Sequence, residues 1–338
     1  MKSIRPYVVL GLLTFFLFIL ELVTGSTALS VREVWAALVD PSATDPGVAA
    51  VVREVRMPQA ITALLAGMGL AVGGLFMQTI FRNPLAGPSV MGVSSGASLG
   101  VAVVMLAHPL WASLPIPPDA ALMGAAMGGA LAVLSLVMFA DRRVGDGVTL
   151  LIVGLLISYL CSALVSVLQS TSSAQALQGF VFWGMGSFGG VSSDRLLWLA
   201  IPVATTMVVA VFSPKTLNAL LLGDDHATTL GVDTRRSRRR LLWITGIVAG
   251  AVTACCGPIA FIGMVTPHLA RGMLRTNDHA KLIPATVLCG GALALLCDLI
   301  ARSGFMGGSL PLNAVTSLLG APMVGWVLFS GKRWAGSA

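Results

Sequence analysis

Long apolar runs separated by short polar breaks make up nearly the whole chain. About ten of these runs approach the roughly 20 residues that a helix needs to cross a bilayer. They lie at about 7–29, 57–80, 91–107, 120–140, 148–169, 195–212, 241–257, 259–270, 282–301 and 311–330. The pattern predicts an all-α polytopic membrane protein that forms a single transmembrane domain over residues 1–338.

The third and eighth runs are short and are interrupted by prolines and glycines. Non-helical backbone at membrane depth survives only where protein or a water-filled cavity covers it. Such breaks in corresponding places of two halves indicate inverted repeats around a central pathway, with helices two to five and seven to ten as the repeats. The residues that mark the breaks are Asn83, Pro84, Pro88, Gly92, Gly96, Gly257, Pro258, Gly263, Pro267 and His268.

Polar residues recur along one face of the fifth predicted helix, because their spacing follows the helical repeat. They are Ser158, Ser162, Ser166, Gln169 and Ser170. A polar stripe of this kind can line a water-filled route through the membrane. It can equally serve serine-mediated helix packing, and the spacing alone leaves both interpretations open.

Composition supports the membrane assignment. The chain is 56% hydrophobic and 10% charged, with mean hydropathy +0.89, whereas soluble proteins carry about 25% charged residues. The net charge of +7 does not indicate nucleic-acid binding, because the positive residues lie in loops between apolar runs. The five cysteines lie in apolar stretches without metal-type spacing, which is typical of small packing residues.

The distribution of Lys and Arg predicts the orientation of the chain. With the N-terminus inside the cell, most of the 21 Lys and Arg fall on the cytoplasmic side, including Lys2, Lys332 and Arg333 near the chain ends. The basic residues then left outside are Arg32, Arg53, Arg56, Arg195 and Arg302. Both termini are therefore expected to be cytoplasmic.

The polar segment at about 213–240 stands out from the apolar chain. Ser213-Pro214 is a helix start, Asp224 or Asp225 can cap a second short helix, and Gly223 and Gly231 can end the two pieces. Several arginines follow at 235–240. The segment is either a docking surface on the cytoplasmic side or a plain connecting loop made basic by topology.

Charged residues also occur near the predicted outer ends of helices. Arg53 and Arg56 flank the mouth of helix two, where they either snorkel at the interface or form a rim that receives an acidic partner. Asp298 and Arg302 have the spacing of an i,i+4 ion pair near the end of helix nine.

The sequence lacks a P-loop and the HExxH and GxSxG motifs, and it offers no nucleophile–base pair. The chain is therefore expected not to be an enzyme. A secondary transporter would usually place ionisable residues at mid-membrane, and the predicted spans are nearly free of them. This favours a pore driven by a separate ATPase, and a channel or secondary transporter remains the alternative.

Several longer motifs resemble the FecCD family of ABC-importer permeases. They are Arg56-Met-Pro58, Arg82-Asn-Pro-Leu-Ala-Gly-Pro88, Gly92-Val-Ser-Ser-Gly-Ala97, Gly257-Pro-Ile-Ala-Phe-Ile-Gly263, Pro267-His268, Ala301-Arg302, Leu310-Pro311 and Leu319-Gly-Ala-Pro322. The resemblance implies a type II importer permease in the bacterial inner membrane that carries an iron complex such as a ferric siderophore or haem. Cobalamin is the alternative ligand.

The resemblance also implies the partners. These are a second permease subunit, two ATPase subunits that bind ATP and Mg, a periplasmic or lipid-anchored binding protein, and membrane lipid; the chain itself would hold no cofactor and no metal. Arg53, Arg56 and Arg302 are expected to dock the binding protein, and the serine stripe is expected to line the pathway. The expected ATPase-coupling residues are Leu217, Leu220, Leu221, Gly223, Asp224, Asp225, Ala227, Thr228, Leu230 and Gly231.

Two positions depart from the family pattern. Gln59 replaces an arginine that often follows the Arg-x-Pro motif, which predicts a weaker outer docking patch or a substitute role for Arg53. Asn313 replaces the glycine of the family's Leu-Pro-Val/Ile-Gly, and the sequence offers no physical reason for that change.

Overall fold

A computed structural model describes residues 4–25, 27, 29–41, 44–107, 117–143, 147–303 and 308–329 of the chain. Lys2, Lys332 and Arg333, which entered the prediction of orientation, lie outside these residues. The described part is built from helices and connecting turns and has no strand.

The helices follow one another along the chain as follows. The first half contains α1 (Arg5–Val23), α2 (Val31–Val39), α3 (Pro46–Ala50), a π-helical stretch (Val51–Arg56), α4 (Met57–Ile80), a 3₁₀ turn (Pro88–Met91), α5 (Val93–Leu106), α6 (Pro118–Asp141) and α7 (Gly147–Thr171). The second half contains α8 (Ala174–Gly184), a 3₁₀ turn (Ser193–Arg195), α9 (Leu196–Phe212), α10 (Pro214–Leu221), α11 (Asp224–Thr229), α12 (Thr234–Cys256), α13 (Ile262–Leu274), α14 (His279–Arg302) and α15 (Leu312–Phe329).

Each predicted span corresponds to one helix, namely α1, α4, α5, α6, α7, α9, α12, α13, α14 and α15. Among the described residues, 6 helices are long and apolar enough to cross a membrane, or 7 if the pair α9–α10, bent by 69°, counts as one span. The third and eighth predicted spans are short, as expected, with 14 residues in α5 and 13 in α13. The prediction of an all-α polytopic membrane protein is confirmed.

Helices α4, α12 and α14 form the buried centre of the molecule, and small residues bring their backbones together. A Cβ on Gly67 of α4 would lie 2.3 Å from the carbonyl oxygen of Gly290 on α14. A Cβ on Gly74 of α4 would lie 1.7 Å from the carbonyl oxygen of Gly263 on α13. Both distances are shorter than van der Waals contact, so glycine is required for these helices to approach so closely.

The helix packing follows the predicted division into two repeats. Helix α4 begins the first repeat and packs on α14, the third helix of the second, while α12 begins the second repeat and packs on α6, the third helix of the first. Helices α4 and α12 also pack on each other. This exchange of partners is what two inverted repeats around a shared axis produce.

The two predicted breaks are present and lie close together. Gly92 and Gly257 have φ of +76° and +74°, a conformation that favours glycine at both sites. His268 Nε2 lies 2.7 Å from the carbonyl oxygen of Pro84, which joins the second break to the first. The buried backbone of these segments is therefore covered by protein, as membrane depth requires.

Asn313 gains a physical explanation from the second break. Its side-chain oxygen accepts a hydrogen bond from the N–H of Ala260 at 3.2 Å, and its own N–H donates to the carbonyl of Met185 at 3.0 Å. A glycine could make the second bond but not the first. Asn313 therefore holds the start of α15 against the non-helical backbone between α12 and α13.

Candidate functional site

The polar segment between α9 and α12 folds into two short helices. Helix α10 starts at Pro214, as predicted, after a bend of 69° from α9. Gly223 and Gly231 have φ of +102° and +82° and end the two pieces, also as predicted. The expectation that Asp224 or Asp225 caps α11 is wrong, because the capping position is Gly223 and no side chain bonds there.

The predicted coupling residues divide into a buried and an exposed group. Leu217, Leu220 and Ala227 are buried against the rest of the chain, while Leu221 and Asp224 are half-buried. Gly223 is also buried. The exposed group consists of Asp225, Thr228, Leu230 and Gly231. Helices α10 and α11 thus have one apolar face that anchors them and a second face that is open to a partner.

A hydrogen-bonded network fixes α10 to the membrane helices. Asn218 Nδ2 donates to the carboxylate of Asp278 at 3.1 Å, and Asn218 Oδ1 accepts from the backbone N–H of His279 at 2.9 Å. The same oxygen lies 2.7 Å from Nδ1 of the His279 ring. The bond from Asn218 Nδ2, together with Lys281, lowers the pKa of Asp278.

The network continues from α14 to α4. The His279 ring is fully buried, and its Nε2 lies 2.9 Å from the hydroxyl oxygen of Thr79 on α4. The Thr79 hydroxyl also donates to the carbonyl of Leu75 on its own helix. Asn218, His279 and Thr79 therefore connect three helices, α10, α14 and α4, through direct polar contacts. We call these three residues the relay.

Ion pairs fix the other parts of the polar segment between α9 and α12. Arg238 of α12 lies 3.5 Å from the carboxylate of Asp224, which ties α11 to α12. Arg239 lies 3.5 Å from the carboxylate of Asp141, which ties α12 to the end of α6. Some of the arginines of the predicted basic run thus have partners within the chain.

The serine stripe lies at the edge of the exposed face of α7. Ser158 is half-buried and lies against Gly92 at the first break, since a Cβ on Gly92 would be 2.8 Å from Ser158 Oγ. Farther along the helix, Ser162, Ser166 and Ser170 are exposed, and Gln169 is half-buried. The side chains of Ser158 and Ser166 bond back to carbonyls of their own helix and do not join α7 to a neighbour. This arrangement leaves the stripe facing outward from the single chain.

Arg56 occupies a different environment from the one predicted. It is only 4% exposed, and its guanidinium donates to the carbonyls of Leu22 and Val23 at 2.8 and 2.7 Å and also to Thr27. These carbonyls belong to the end of α1, where helical partners are missing. Arg56 therefore caps α1 and does not present its charge to solvent, whereas Arg53 is exposed.

Arg302 also belongs to a buried cluster. Its Nε lies 3.0 Å from the Asp298 carboxylate, as the i,i+4 spacing predicted, and it forms a second ion pair with Glu21 of α1. Both carboxylate residues are almost fully buried. Gln59 donates to Asp298 at 2.8 Å, which explains the residue at this position. We call Glu21, Gln59, Asp298 and Arg302 the charge cluster; the docking role of Arg302 and Arg56 stays a prediction.

Sequence reasoning missed Asn218, His279, Thr79 and Glu21. The relay joins residues 200 positions apart, and nothing in the local pattern pairs them. For Glu21 a signal was available, because it is an acidic residue inside the first apolar run and a charge within a membrane span needs a partner. In the described residues no group of three or more His, Cys, Asp or Glu could hold a metal ion.

Comparison with known proteins identifies the class. Residues 13–330 match the model of the FecCD transport family. The hemin transport system permease protein HmuU of Yersinia pestis is 36% identical over 333 residues, which cover 96% of this chain and 96% of that protein. The vitamin B12 import system permease protein BtuC of Vibrio cholerae serotype O1 is 36% identical, covering 92% of this chain and 89% of the relative.

Solved structures give the same result. A chain described as an inward-facing conformation of a metal-chelate type ABC transporter aligns with TM-score 0.84 and 31% identity, covering 97% of this chain and 100% of that one. A chain of PsaBC from Streptococcus pneumoniae aligns with TM-score 0.54 and 13% identity, covering 80% of this chain and 90% of that one, and shares the fold alone.

The helical fold and these matches define a multi-pass permease of an ABC importer. The chain belongs to the FecCD transport family. The prediction that the chain is not an enzyme is confirmed, because its relatives are permease proteins that do not catalyse a reaction themselves.

Proposed function

We propose that this protein is the membrane permease of an importer that carries an iron complex, either haem or a ferric siderophore, across the bacterial inner membrane. The match to the hemin permease supports this ligand class, because it extends over 96% of both chains. Cobalamin is the second candidate, supported by the vitamin B12 relatives at the same identity.

The proposed assembly contains two permease subunits, two ATPase subunits and a binding protein outside the membrane. Both chain ends and the segment at 213–240 lie in the cytoplasm, in agreement with the excess of Lys and Arg there. ATP and Mg²⁺ are bound by the ATPase subunits. The exposed residues of α10, α11 and the turn that follows, including Asp225, Thr228 and Leu230, form the surface that fits a groove on the ATPase.

The observation that carries the mechanism is the relay. A force on α10 reaches Asn218, then His279 at the start of α14, then Thr79 near the end of α4. Helices α4 and α14 pack through Gly67 and Gly290 and can move as one body. Tilting this pair by rigid-body motion would switch the pathway from outward to inward opening.

The pathway itself runs along the serine stripe of α7 in this proposal. A wall of apolar residues with scattered hydroxyl groups binds a bulky ligand weakly, so that the ligand can leave. The exposed positions of Ser162, Ser166 and Ser170 support this placement, because a pathway between two permease copies needs an outward-facing wall.

A carboxylate on this wall provides a test. We expect Ser166→Asp to lower uptake several-fold while the complex with the ATPase still assembles, because a fixed charge on the wall changes how the ligand binds there and leaves. The measurement is ligand uptake per complex in vesicles, with Thr205→Ala as the control, since Thr205 is exposed on α9 and bonds only to Ile201 of its own helix. Normal uptake by Ser166→Asp would remove α7 from the pathway.

The ligand is identified by stimulation of ATP hydrolysis. The permease is reconstituted with its ATPase and binding protein, and haem, a ferric siderophore and cobalamin are added in turn. An iron complex is expected to raise the rate, and cobalamin is not. Stimulation by cobalamin alone would replace the first candidate by the second.

A further inference from the structure

Helix α2 carries an apolar ridge that the fold does not use. Val31, Trp35 and Val39 are 64%, 68% and 64% exposed. Their spacing of four residues places them along one side of the helix. The ridge thus consists of a large aromatic side chain between two valines on the surface of a nine-residue helix. An exposed apolar surface of this kind indicates contact with something outside the chain.

The opposite side of α2 already holds the helix in place. Val34 and Ala37 are buried in a small apolar cluster with Leu22, Val52 and Ala60. A capping box between Ser30 and Glu33 fixes the start of the helix. The ridge is therefore a rigid surface, and its side chains do not contribute to this cluster.

The neighbours of α2 show where the ridge lies relative to the bilayer. The cluster beneath α2 includes Phe18, Leu22 and Val23 from the last turns of α1. Helix α1 has 19 residues, so at 1.5 Å per residue it is about 28 Å long, close to the thickness of the hydrocarbon core. Helix α2 therefore lies at the level where the hydrocarbon ends.

Helix α1, which α2 packs on, also exposes large apolar side chains. Leu12, Phe15 and Phe16 of α1 are 64%, 64% and 61% exposed, which is typical of side chains in contact with lipid tails. Two exposed basic residues lie beside the ridge, Arg32 on α2 itself and Arg53, whose guanidinium lies 3.5 Å from the carbonyl of Leu38. Basic side chains at this level suit lipid phosphates.

We propose that α2 lies flat in the outer bilayer–water interface, with Val31, Trp35 and Val39 inserted among the lipids and Trp35 as the interfacial anchor. The occupant of the ridge is thus the lipid bilayer. The assignment to the outer leaflet rests on the orientation proposed above, whereas the insertion itself does not. Helix α2 then holds the end of α1 and the start of α4 at a fixed depth at the mouth of the permease.

Spin labels on two sides of the helix test this proposal. Trp35→Cys and Glu33→Cys are labelled in the full chain, in vesicles of phosphatidylethanolamine and phosphatidylglycerol, with the labelled unmodified chain as background. Positions 33 and 35 point to opposite sides of a helix, and a cysteine at 33 keeps the backbone N–H that bonds Ser30 Oγ at the helix start. The measurement is how often each spin label collides with oxygen, which dissolves in lipid, relative to a nickel chelate, which dissolves in water. We expect this ratio to be several-fold higher at position 35 than at position 33. Val39→Cys, also on the ridge, is expected to match position 35.

Two results would overturn the proposal. Equal and high nickel accessibility at 33, 35 and 39 would place the ridge in water. Shielding of 35 and 39 from both oxygen and nickel would place it against protein, such as a second copy of the chain. The depth of the labels is measured without ATPase, binding protein or ligand. The result for α2 is therefore independent of whether the proposed transport function is correct. Labelling from one side of sealed vesicles tests the leaflet separately.

Discussion

Some of the single residues that sequence reasoning assigned to docking also stabilise the fold. In the charge cluster, Arg302 forms ion pairs with both Asp298 and Glu21, and Gln59 supplies a further hydrogen bond to Asp298. A buried carboxylate without its partner is strongly destabilising. A binding protein that engages Arg302 must therefore compete with two carboxylates of the same chain.

Removing Arg302 tests the structural part of this role. We expect Arg302→Ala to destabilise the permease by about 3 kcal/mol or more, because two buried carboxylates lose their counter-ion. The measurement is thermal unfolding of the isolated permease, without any binding protein. Arg53→Ala serves as the control, since Arg53 is exposed and its loss should change stability by less than about 0.5 kcal/mol. Equal melting of the two variants would show that the ion pairs of Arg302 do not stabilise the fold.

At the scale of helices, two kinds of contact hold the moving parts together. Glycines join α4 to α14 and α13, and the relay joins α4 and α14 to α10. The glycine contacts set how closely helices pack, while the relay sets which helices respond when α10 moves. The two can be tested separately.

Asn218→Ala tests the relay. The alanine keeps the helix but removes the bonds to Asp278 and His279. We expect ATP hydrolysis by the assembled complex to continue while the amount of ligand moved per ATP falls several-fold. Thr205→Ala is again the control. If hydrolysis and transport fell in the same proportion, Asn218 would matter only for folding or assembly, because a smaller folded fraction leaves the ratio unchanged.

Gly74→Ala tests the glycine contacts. The new methyl group would meet the carbonyl oxygen of Gly263 at 1.7 Å, so α4 and α13 must separate. We expect a loss of about 1–3 kcal/mol in unfolding free energy, measured by thermal unfolding. Gly128→Ala on α6 is matched to it, because a Cβ there has nothing within 4 Å, and it should leave the midpoint unchanged or raise it slightly. Equal midpoints would contradict the close approach.

For the whole molecule, the sequence predicted the helices and their breaks because both signals are local. Apolar runs mark α4, α7 and α12, and the proline and glycine interruptions mark the two breaks. The position of those breaks predicted the two repeats, but which helices of the two halves pack together is known only from the structure. The class of transporter was predicted from the family motifs, because hydrophobic periodicity alone does not distinguish one kind of transporter from another.

Long-range side-chain contacts were beyond the reach of the sequence. Arg56 looked like an exposed charge at a helix mouth, yet it caps α1 through carbonyls more than 30 positions earlier in the chain. Gln59 looked like a lost docking charge, yet it bonds Asp298 across 239 positions. Helix α2 went unnoticed because its nine residues are too few to span a membrane, although their apolar positions follow the helical repeat. The partners of these side chains are determined by tertiary packing and cannot be read from spacing along the sequence.

The central claim is that this permease is passive and is moved through α10 and α11 by separate ATPase subunits. The most direct measurement compares uptake into vesicles that contain the permease alone with uptake into vesicles that also contain the ATPase, ATP and Mg²⁺, the binding protein being present in both. The account predicts ligand accumulation only in the second case, and its loss when ATP is omitted. Ligand transport by the purified permease alone would contradict it.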